Sequence, residues 1–117
     1  MTLLASGLML WTAWNNGRYH RSGAGYGFRV DAHDRDRHFL RSWGTVLVEL
    51  PSPHAVAAKI NINKDSFWGR ECRELISMEV GMWMIQGGHA PWPTGSPPKF
   101  RVHLAGPRRF EVVELAK

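Results

Sequence analysis

The sequence predicts a single α+β domain, built from a strongly curved, mainly antiparallel sheet or open barrel of about six strands with two helices. Short segments in which apolar and polar residues alternate recur along the chain, and turn residues separate them. Two other stretches place apolar residues at helical spacing. At 117 residues the chain is long enough for one core and too short for two domains, so residues 1–117 are expected to form one unit.

The six predicted strands either alternate apolar and polar residues or contain a run of β-branched and apolar residues. They cover residues 8–13, 28–32, 45–50, 56–62, 100–104 and 110–115. Pro51 and Pro53 form a turn that joins the third and fourth strands as a hairpin, since proline removes ladder donors. Gly106 and Pro107 join the last two strands in the same way.

The first predicted helix covers residues 34–43, with Asp31 or Asp34 as its cap. The second begins at Asp65 or Ser66 and ends before residues 87–88, which are both glycine. Its apolar stripe consists of Cys72, Leu75, Ile76, Val80, Trp83 and Met84. The proline-rich residues 89–98 then form a stiff connector.

Composition favours a basic protein of the reducing cytoplasm. The net charge is +5, and arginine outnumbers lysine by eleven to four, which favours the recognition of phosphate or carboxylate groups. Cys72 is the only cysteine, so an intrachain disulfide and a multi-cysteine zinc site are excluded. Residues 1–14 are apolar but lack a charged leading region and are too short to span a bilayer. We therefore expect them to belong to the folded domain, with no membrane partner and no cofactor.

Residues 14–27 contain four glycines, two arginines, one histidine, two asparagines and three aromatic residues. Glycine adds no packing and costs backbone entropy, so this composition favours a loop that offers amides, cations and rings to a ligand. The predicted ligand-binding residues are Trp14, Asn15, Asn16, Arg18, Tyr19, His20, Arg21, Gly25, Tyr26 and Arg29. The glycine run lacks the third glycine of a dinucleotide-binding fingerprint and the Gly-Lys-Ser/Thr of a phosphate loop. A bend that leads into the next strand is the structural alternative.

The leading functional hypothesis is a binding module that contacts nucleic acid or another polyanion. Outward strand positions would add cations to those of the loop, and the aromatic residues would stack on bases. The residues expected to face outward are Arg29, Lys59, Asn61, Arg101, His103 and Arg109. The alternative is that these polar positions are scattered over the surface.

Two other hypotheses stay open. The first is a hydrolytic or transferase enzyme that uses His20 with Asp34 or Asp36. Asp34 and His38 share a helix face, but two ligands make at most half of a metal site, so no metal is predicted. The second is a protein-interaction module that uses exposed tryptophans and the proline-rich residues 91–98.

Several motifs of the chain resemble those of a family of small bacterial proteins without an assigned activity. In the first third, the motifs are Trp14-Asn15-Asn16-Gly17, His20, Ser22-Gly23-Ala24-Gly25-Tyr26-Gly27 and Asp34-Arg35-Asp36. Further on, they are Ser66-Phe67-Trp68, Cys72-Arg73-Glu74-Leu75 and the run from Trp92 to Phe100. The resemblance implies no reaction, ligand or catalytic residue. In strand order and basic charge, the chain is also similar to the pseudobarrel DNA-recognition domains of plant B3 proteins and restriction enzymes.

Overall fold

The computed structural model describes residues 8–116, which contain seven β-strands, three α-helices and one 3₁₀ turn. The strands are β1 (Leu8–Asn15), β2 (Tyr26–Val30), β3 (Thr45–Leu50), β4 (Val56–Asn61), β5 (Glu74–Ile76), β6 (Lys99–Gly106) and β7 (Arg109–Leu115). The helices are α1 (Ala32–His38), α2 (Asp65–Trp68) and α3 (Met78–Gln86), and the 3₁₀ turn is Arg41–Trp43. Residues 1–7, which we expected to belong to the folded domain, lie outside the described residues.

The seven described strands form one sheet in the order β4-β3-β7-β6-β1-β2-β5. Neighbouring strands are antiparallel, except that β3 and β7 are parallel. The edge strands β4 and β5 come close to one another, so the sheet is a nearly closed barrel. The predicted α+β class and the curved, mainly antiparallel sheet are therefore confirmed, whereas the predictions of about six strands and of two helices were each one too few for the described residues.

The alternation of the sequence sets the two faces of the sheet, because successive side chains of a strand point to opposite sides. In β1, the odd-numbered Met9, Trp11 and Ala13 are buried while Leu8 and Leu10 are exposed. Trp11 lies at the centre of the core, with its ring centroid 5.4 Å from that of Phe28 and 5.4 Å from that of Phe110. β3, β4, β6 and β7 alternate in the same way over at least four successive residues, whereas the first three residues of β2 are all buried.

The unpredicted strand, β5, lies inside the second predicted helix. α2 ends at Trp68 after a single turn, and the chain then runs along the edge of β2, where Glu74 pairs with Arg29. The spacing of apolar residues is a local signal, and pairing with a distant strand overrides it here. The helix prediction was therefore wrong for residues 69–77. Cys72, predicted to be buried on the helix stripe, is exposed.

A buried arginine from α1 helps to end α2. Arg35 Nη1 donates to the carbonyl oxygens of Phe67 (2.8 Å) and Gly69 (2.7 Å), and the guanidinium lies 5.5 Å from the ring centroid of Trp68. In a longer helix, these carbonyl oxygens would accept hydrogen bonds from N–H groups of the following turn. Here the guanidinium of Arg35 provides the donor instead. Arg35 is only 7% exposed, although it lies in a run of alternating charged residues.

The first predicted helix, residues 34–43, is also shorter than expected. α1 starts earlier, at Ala32, and its C-cap Phe39 already has extended backbone angles. Phe39 turns inward and stacks on Phe110, with ring centroids 4.4 Å apart. Asp31 occupies the N-cap position, but its side chain makes no capping hydrogen bond. Helix α1 therefore ends where Phe39 is buried in the core, although the predicted helix continued to residue 43.

The third helix, α3, packs against β2 and β4 and covers the opening between the sheet edges. Its N-cap Ser77 accepts a hydrogen bond from Val80 N and donates one to Glu79 Oε1 (2.9 Å). This bond holds Glu79 on the exposed side of the helix, although its position follows the apolar spacing.

None of the helices within residues 8–116 has the length and apolar character needed to cross a membrane.

Two glycines allow the loop between β1 and β2 to lie directly on α3. A Cβ atom built on Gly81 would lie 2.2 Å from the carbonyl oxygen of Gly23. A Cβ atom on Gly23 would lie 2.4 Å from the carbonyl oxygen of Met78, and Gly23 also has a positive φ of 88°. Both clashes are with backbone atoms, which cannot rotate away as a flexible side chain can. The two backbones therefore require glycine at both positions.

We predict that Gly81→Ala destabilises the protein, although glycine-to-alanine changes inside helices are normally stabilising. The added methyl group must push the loop away from α3, and such overpacking costs about 1–3 kcal/mol. The free energy of unfolding in urea measures the effect. Gly106→Ala is the control, because a Cβ atom there meets nothing within 4 Å and φ is not positive. A Gly81→Ala variant as stable as the control would contradict the tight contact.

Candidate functional site

The loop between β1 and β2, residues 16–25, is held in shape by two asparagines, and we call it the glycine-rich loop. Asn15 Oδ1 accepts hydrogen bonds from Gly17 N (2.7 Å) and Tyr19 N (3.3 Å). Asn16 Oδ1 accepts from Arg18 N (3.1 Å). Such side-chain-to-backbone bonds are typical of asparagine in turns. They support the φ of 42° at Tyr19, a left-handed conformation that is uncommon for a residue with a side chain.

Three aromatic rings from distant parts of the chain meet beside this loop. Tyr19, Tyr26 and Trp92 contact one another edge to face, with ring centroids 5.5–6.1 Å apart. Trp92 comes from the proline-rich connector, which is attached to β1 by a hydrogen bond from Ala13 N to Pro98 O (2.9 Å). The connector therefore belongs to the same site as the glycine-rich loop.

A cavity of about 220 Å³ opens between the loop, the connector and the outer face of β1 and β2. We call it the aromatic pocket. Its lining residues are Thr12, Ala13, Trp14, Asn15, Tyr19, Arg29, Trp92 and Pro97. The pocket combines three flat rings with the donor groups of an arginine. Such a surface suits a flat ligand that carries hydrogen-bond acceptors.

A buried carboxylate fixes the arginine of the aromatic pocket. Arg29 Nε and Nη2 both donate to Glu74 Oε2, at 3.0 and 2.9 Å, and the side chain of Glu74 is only 7% exposed. The guanidinium itself is half exposed, and its Nη1 makes no hydrogen bond within residues 8–116. Glu74 therefore positions Arg29 with one nitrogen left for a ligand. This partner comes from β5, the strand that the sequence analysis did not predict.

Four of the ten predicted ligand-binding residues line the aromatic pocket, namely Trp14, Asn15, Tyr19 and Arg29. Three others are exposed on the glycine-rich loop outside the pocket, namely Arg18, His20 and Arg21. The remaining three have structural roles, which we describe next.

Tyr26, Asn16 and Gly25 have structural roles in the site, although Asn16 is also exposed on the loop. Tyr26 is 1% exposed and supports the rings of Tyr19 and Trp92 from below, so its ring has no free face for stacking. Burial, and then the neighbouring Tyr19, raise the pKa of the Tyr26 hydroxyl above its ordinary value. Asn16 packs on Gly25, where a Cβ atom would lie 2.5 Å from Asn16 Nδ2. The expectation that Tyr26 stacks on a base was therefore wrong.

The predicted catalytic residues do not come together. His20 lies on the glycine-rich loop, beyond the Tyr26 end of β2, whereas Asp34 and Asp36 lie on α1, beyond the Val30 end. The five residues of β2 separate these ends by roughly 13 Å at about 3.3 Å per residue. No hydrogen bond or ion pair joins His20 to either aspartate in the described part of the chain.

Asp34 lies in a second, larger cavity of about 580 Å³, whose polar lining includes Asp31, Lys99 and Arg101. Burial, and then the negative charge of Asp31, raise the pKa of Asp34, although His38, His33 and Arg37 act in the opposite direction. Between residues 8 and 116 there is no group of three or more histidine, cysteine or acidic side chains that could hold a metal ion. Asp34 and His38 thus lack a third ligand there.

The residues predicted to face outward from the strands are exposed except His103, which is half-buried, and the three arginines among them are paired with carboxylates. Besides Arg29 with Glu74, the ion pairs are Arg101 with Glu114 (3.1 Å) and Arg109 with Glu49 (3.9 Å). The strand faces therefore carry both signs of charge. By contrast, Arg18 and Arg21 make no ion pair with another described residue.

Another cavity, of about 560 Å³, lies between α3 and the turn that joins β3 to β4. Met78, Met82, Trp83 and Val56 make it largely apolar, and no predicted ligand-binding residue lines it. All six tryptophans are buried or half-buried, so the exposed tryptophans expected of a protein-interaction module are absent.

Trp92 and Pro97 line the pocket but were not among the predicted ligand-binding residues, because residues 91–98 were expected to serve a protein-interaction module instead. The available signal was a tryptophan between two prolines, since a ring on a stiff segment is well suited to form a pocket wall.

Comparisons with protein-family models, curated proteins and solved structures find no match for this chain.

We predict that Asp34→Asn raises the melting temperature at neutral pH. A carboxyl group with a raised pKa in the folded state binds its proton more tightly there than in the unfolded chain. Its contribution to stability is therefore lost as pH rises above its ordinary value of 3.8. Asparagine does not ionise, so it removes the pH dependence of stability that Asp34 contributes. The difference in melting temperature between variant and parent should therefore shrink as pH falls toward 3.8. Thermal unfolding across this pH range measures it.

The control is Asp36→Asn. Asp36 accepts a hydrogen bond from Arg35 Nε, so removing its negative charge weakens an ion pair and should not raise the melting temperature. A stability difference for Asp34→Asn that does not change with pH would show that Asp34 is not strained by its charge.

Proposed function

We propose that this protein is a binding module for single-stranded nucleic acid. One unpaired base enters the aromatic pocket, and cations of the glycine-rich loop contact the flanking phosphates. The observation that supports this function best is the meeting of Trp14, Tyr19 and Trp92 around a cavity that also contains the fixed guanidinium of Arg29. Bases stack on aromatic rings whatever their sequence, because every base has a π-face.

The size of the aromatic pocket favours one ring system of a longer ligand. Pockets for whole drug-sized molecules generally enclose about 300–1,000 Å³, whereas a benzene ring fits in an apolar cavity of about 150 Å³. At about 220 Å³, the aromatic pocket suits a single heteroaromatic base. The rest of such a ligand must lie outside the pocket, next to the loop.

The charge distribution favours a polyanion at that position. The chain carries a net charge of +5, and the strand arginines are largely balanced by carboxylates. Arg18 and Arg21 are exposed on the glycine-rich loop without such partners among the described residues. Exposed, unpaired arginines bind phosphates through their bidentate donors.

The pocket contains groups for recognition rather than for proton transfer. General acid–base catalysis is most effective when a group titrates near the working pH. The lining residues of the aromatic pocket include no histidine and no carboxylate, the side chains that most often act as general acids and bases. The proposed setting is the reducing cytoplasm, which the single cysteine favours. The resemblance to small bacterial proteins stays a prediction.

We predict that Trp92→Leu weakens binding to a fluorescently labelled single-stranded oligonucleotide by about fivefold or more, since base–aromatic stacking contributes about 1–3 kcal/mol per base. Fluorescence anisotropy at low salt measures the dissociation constant. Trp43→Leu is the matched control, because Trp43 is likewise half-buried and packs against the core but does not line the aromatic pocket. Equal affinities for the two variants would exclude the pocket as the stacking site.

We also predict that the double variant Arg18→Gln, Arg21→Gln reduces the salt dependence of binding. Each phosphate contact contributes about 0.7 to the slope of log affinity against log salt for single strands, so two lost contacts lower it by about 1.4. The double variant Arg37→Gln, Arg70→Gln changes the net charge equally at the opposite end of β2. If both double variants reduce the slope by the same amount, net charge rather than the loop drives binding. Absence of binding by the parent protein at low salt would contradict the proposed function itself.

A further inference from the structure

The glycine-rich loop borders two cavities. Tyr19 lines the aromatic pocket, whereas Ser22, three residues further along the loop, lines the cavity of about 560 Å³ beside α3, which we call the α3 cavity. The Cα atoms of Tyr19 and Ser22 lie at most about 11 Å apart, because each residue spans no more than about 3.6 Å. A hydrogen bond from Gly23 N to His20 O (3.1 Å) keeps this stretch from being fully extended. The two cavities are therefore neighbours.

The wall of the α3 cavity is apolar and accessible to a ligand. Met78 and Met82 lie one turn apart on α3, where the backbone of the helix meets Gly23, and Val56 at the start of β4 lines the same cavity. Met78 is 54% exposed and Val56 is 37% exposed. Methionine side chains are flexible and make favourable contacts with aromatic rings through sulfur. Such a wall adapts to a flat ring that enters from solvent.

The charges around the α3 cavity distinguish a base from a phosphate. Glu79 lines the cavity, so a phosphate inside it would meet a like charge. Cations lie instead on the loop, where Arg21 comes between Tyr19 and Ser22 and Arg18 precedes them. Both arginines are exposed and make no ion pair with the residues that the structure describes. The loop therefore suits the phosphates of a strand, and the cavity suits an uncharged ring.

We infer that the α3 cavity is a second subsite for a base of the same strand whose first base occupies the aromatic pocket. This inference rests on the proposed function. The strand crosses the glycine-rich loop with a phosphate beside Arg21, and its second base packs on Met78 and Met82. Stacked bases of one strand are about 3.4 Å apart, and unstacked bases lie farther apart. The second base is therefore only a few positions along the strand from the first.

The test uses oligonucleotides of equal length that carry two adenines in an otherwise abasic strand. In the close pairs, one to four abasic positions separate the two bases, and in the distant pair about twelve positions separate them. Charge and base content are the same throughout, but a long linker lowers the effective concentration of the second base at its subsite. We expect the best close pair to bind the parent protein about fivefold or more tightly than the distant pair.

The matched variant is Met78→Ser, which removes an exposed apolar side chain from the α3 cavity and leaves the net charge unchanged. We expect the ratio of affinities for the close and distant pairs to fall toward one, while the affinity for the distant pair stays the same. Leu40→Ser is the control, because Leu40 is similarly exposed (58%) but follows α1 at the other end of β2. It should keep the ratio of the parent. Trp92→Leu, by contrast, should weaken binding to both strands.

The outcomes separate the inference from the proposed function. Equal affinities of the parent for the close and distant pairs, with salt-dependent binding retained, would overturn the second subsite alone. An unchanged ratio in a folded Met78→Ser variant would do the same, because the preference for close pairs would then arise elsewhere. Failure of the parent to bind any strand at low salt would overturn the proposed function and the inference together. If Met78→Ser does not fold, the comparison of close and distant pairs on the parent decides.

Discussion

The backbone contact between Gly23 and Gly81 fixes the glycine-rich loop to α3, and the geometry of the candidate site depends on it. A loop of ten residues between two strands normally has many conformations. Here its second half lies against a helix with no room for a side chain on either glycine. Its first half is held by the amide of Asn15. The glycines therefore reduce the freedom of this loop, although glycine by itself increases it.

A fixed loop matters because binding is weakened by the entropy of ordering the groups that make the contacts. Tyr19 is supported by Tyr26 below it and by Trp92 beside it, and Arg29 is held by the carboxylate of Glu74. These supporting residues come from three different elements, namely β2, the connector and β5. The aromatic pocket is thus assembled before any ligand arrives, and its rings and donors need little further ordering.

The strands were largely predictable from the sequence, because alternation reports directly which side of a sheet each residue faces. β5 was not predictable, since its three residues follow helical spacing and are held extended only by β2. Arg35 was missed for a related reason, because its partners are carbonyls of another helix, which leave no trace in the local sequence. In both cases a contact between distant segments overrides the local pattern.

The candidate site likewise contains residues that the local sequence predicted and others that only distant contacts bring to it. Trp14, Asn15, Tyr19 and Arg29 were predicted because they lie in or near one conspicuous segment, whereas Trp92 joins them only through the path of the connector. The arginines show that residue type alone does not determine whether a cation is available to a ligand. Arginine is an unpaired exposed cation on the loop, but on the strands it is paired with a carboxylate.

Asn15 shows most clearly why the loop has its particular composition. A serine or aspartate at this position would also accept hydrogen bonds from the loop backbone, as many turn residues do. Asparagine differs because it carries an acceptor and a donor on one rigid amide. When the backbone takes the acceptor, the direction of the donor is determined at the same time. The first half of the loop thus depends on a single side chain that accepts hydrogen bonds from its backbone at two points, and the amide nitrogen of that side chain stays buried beneath the loop surface.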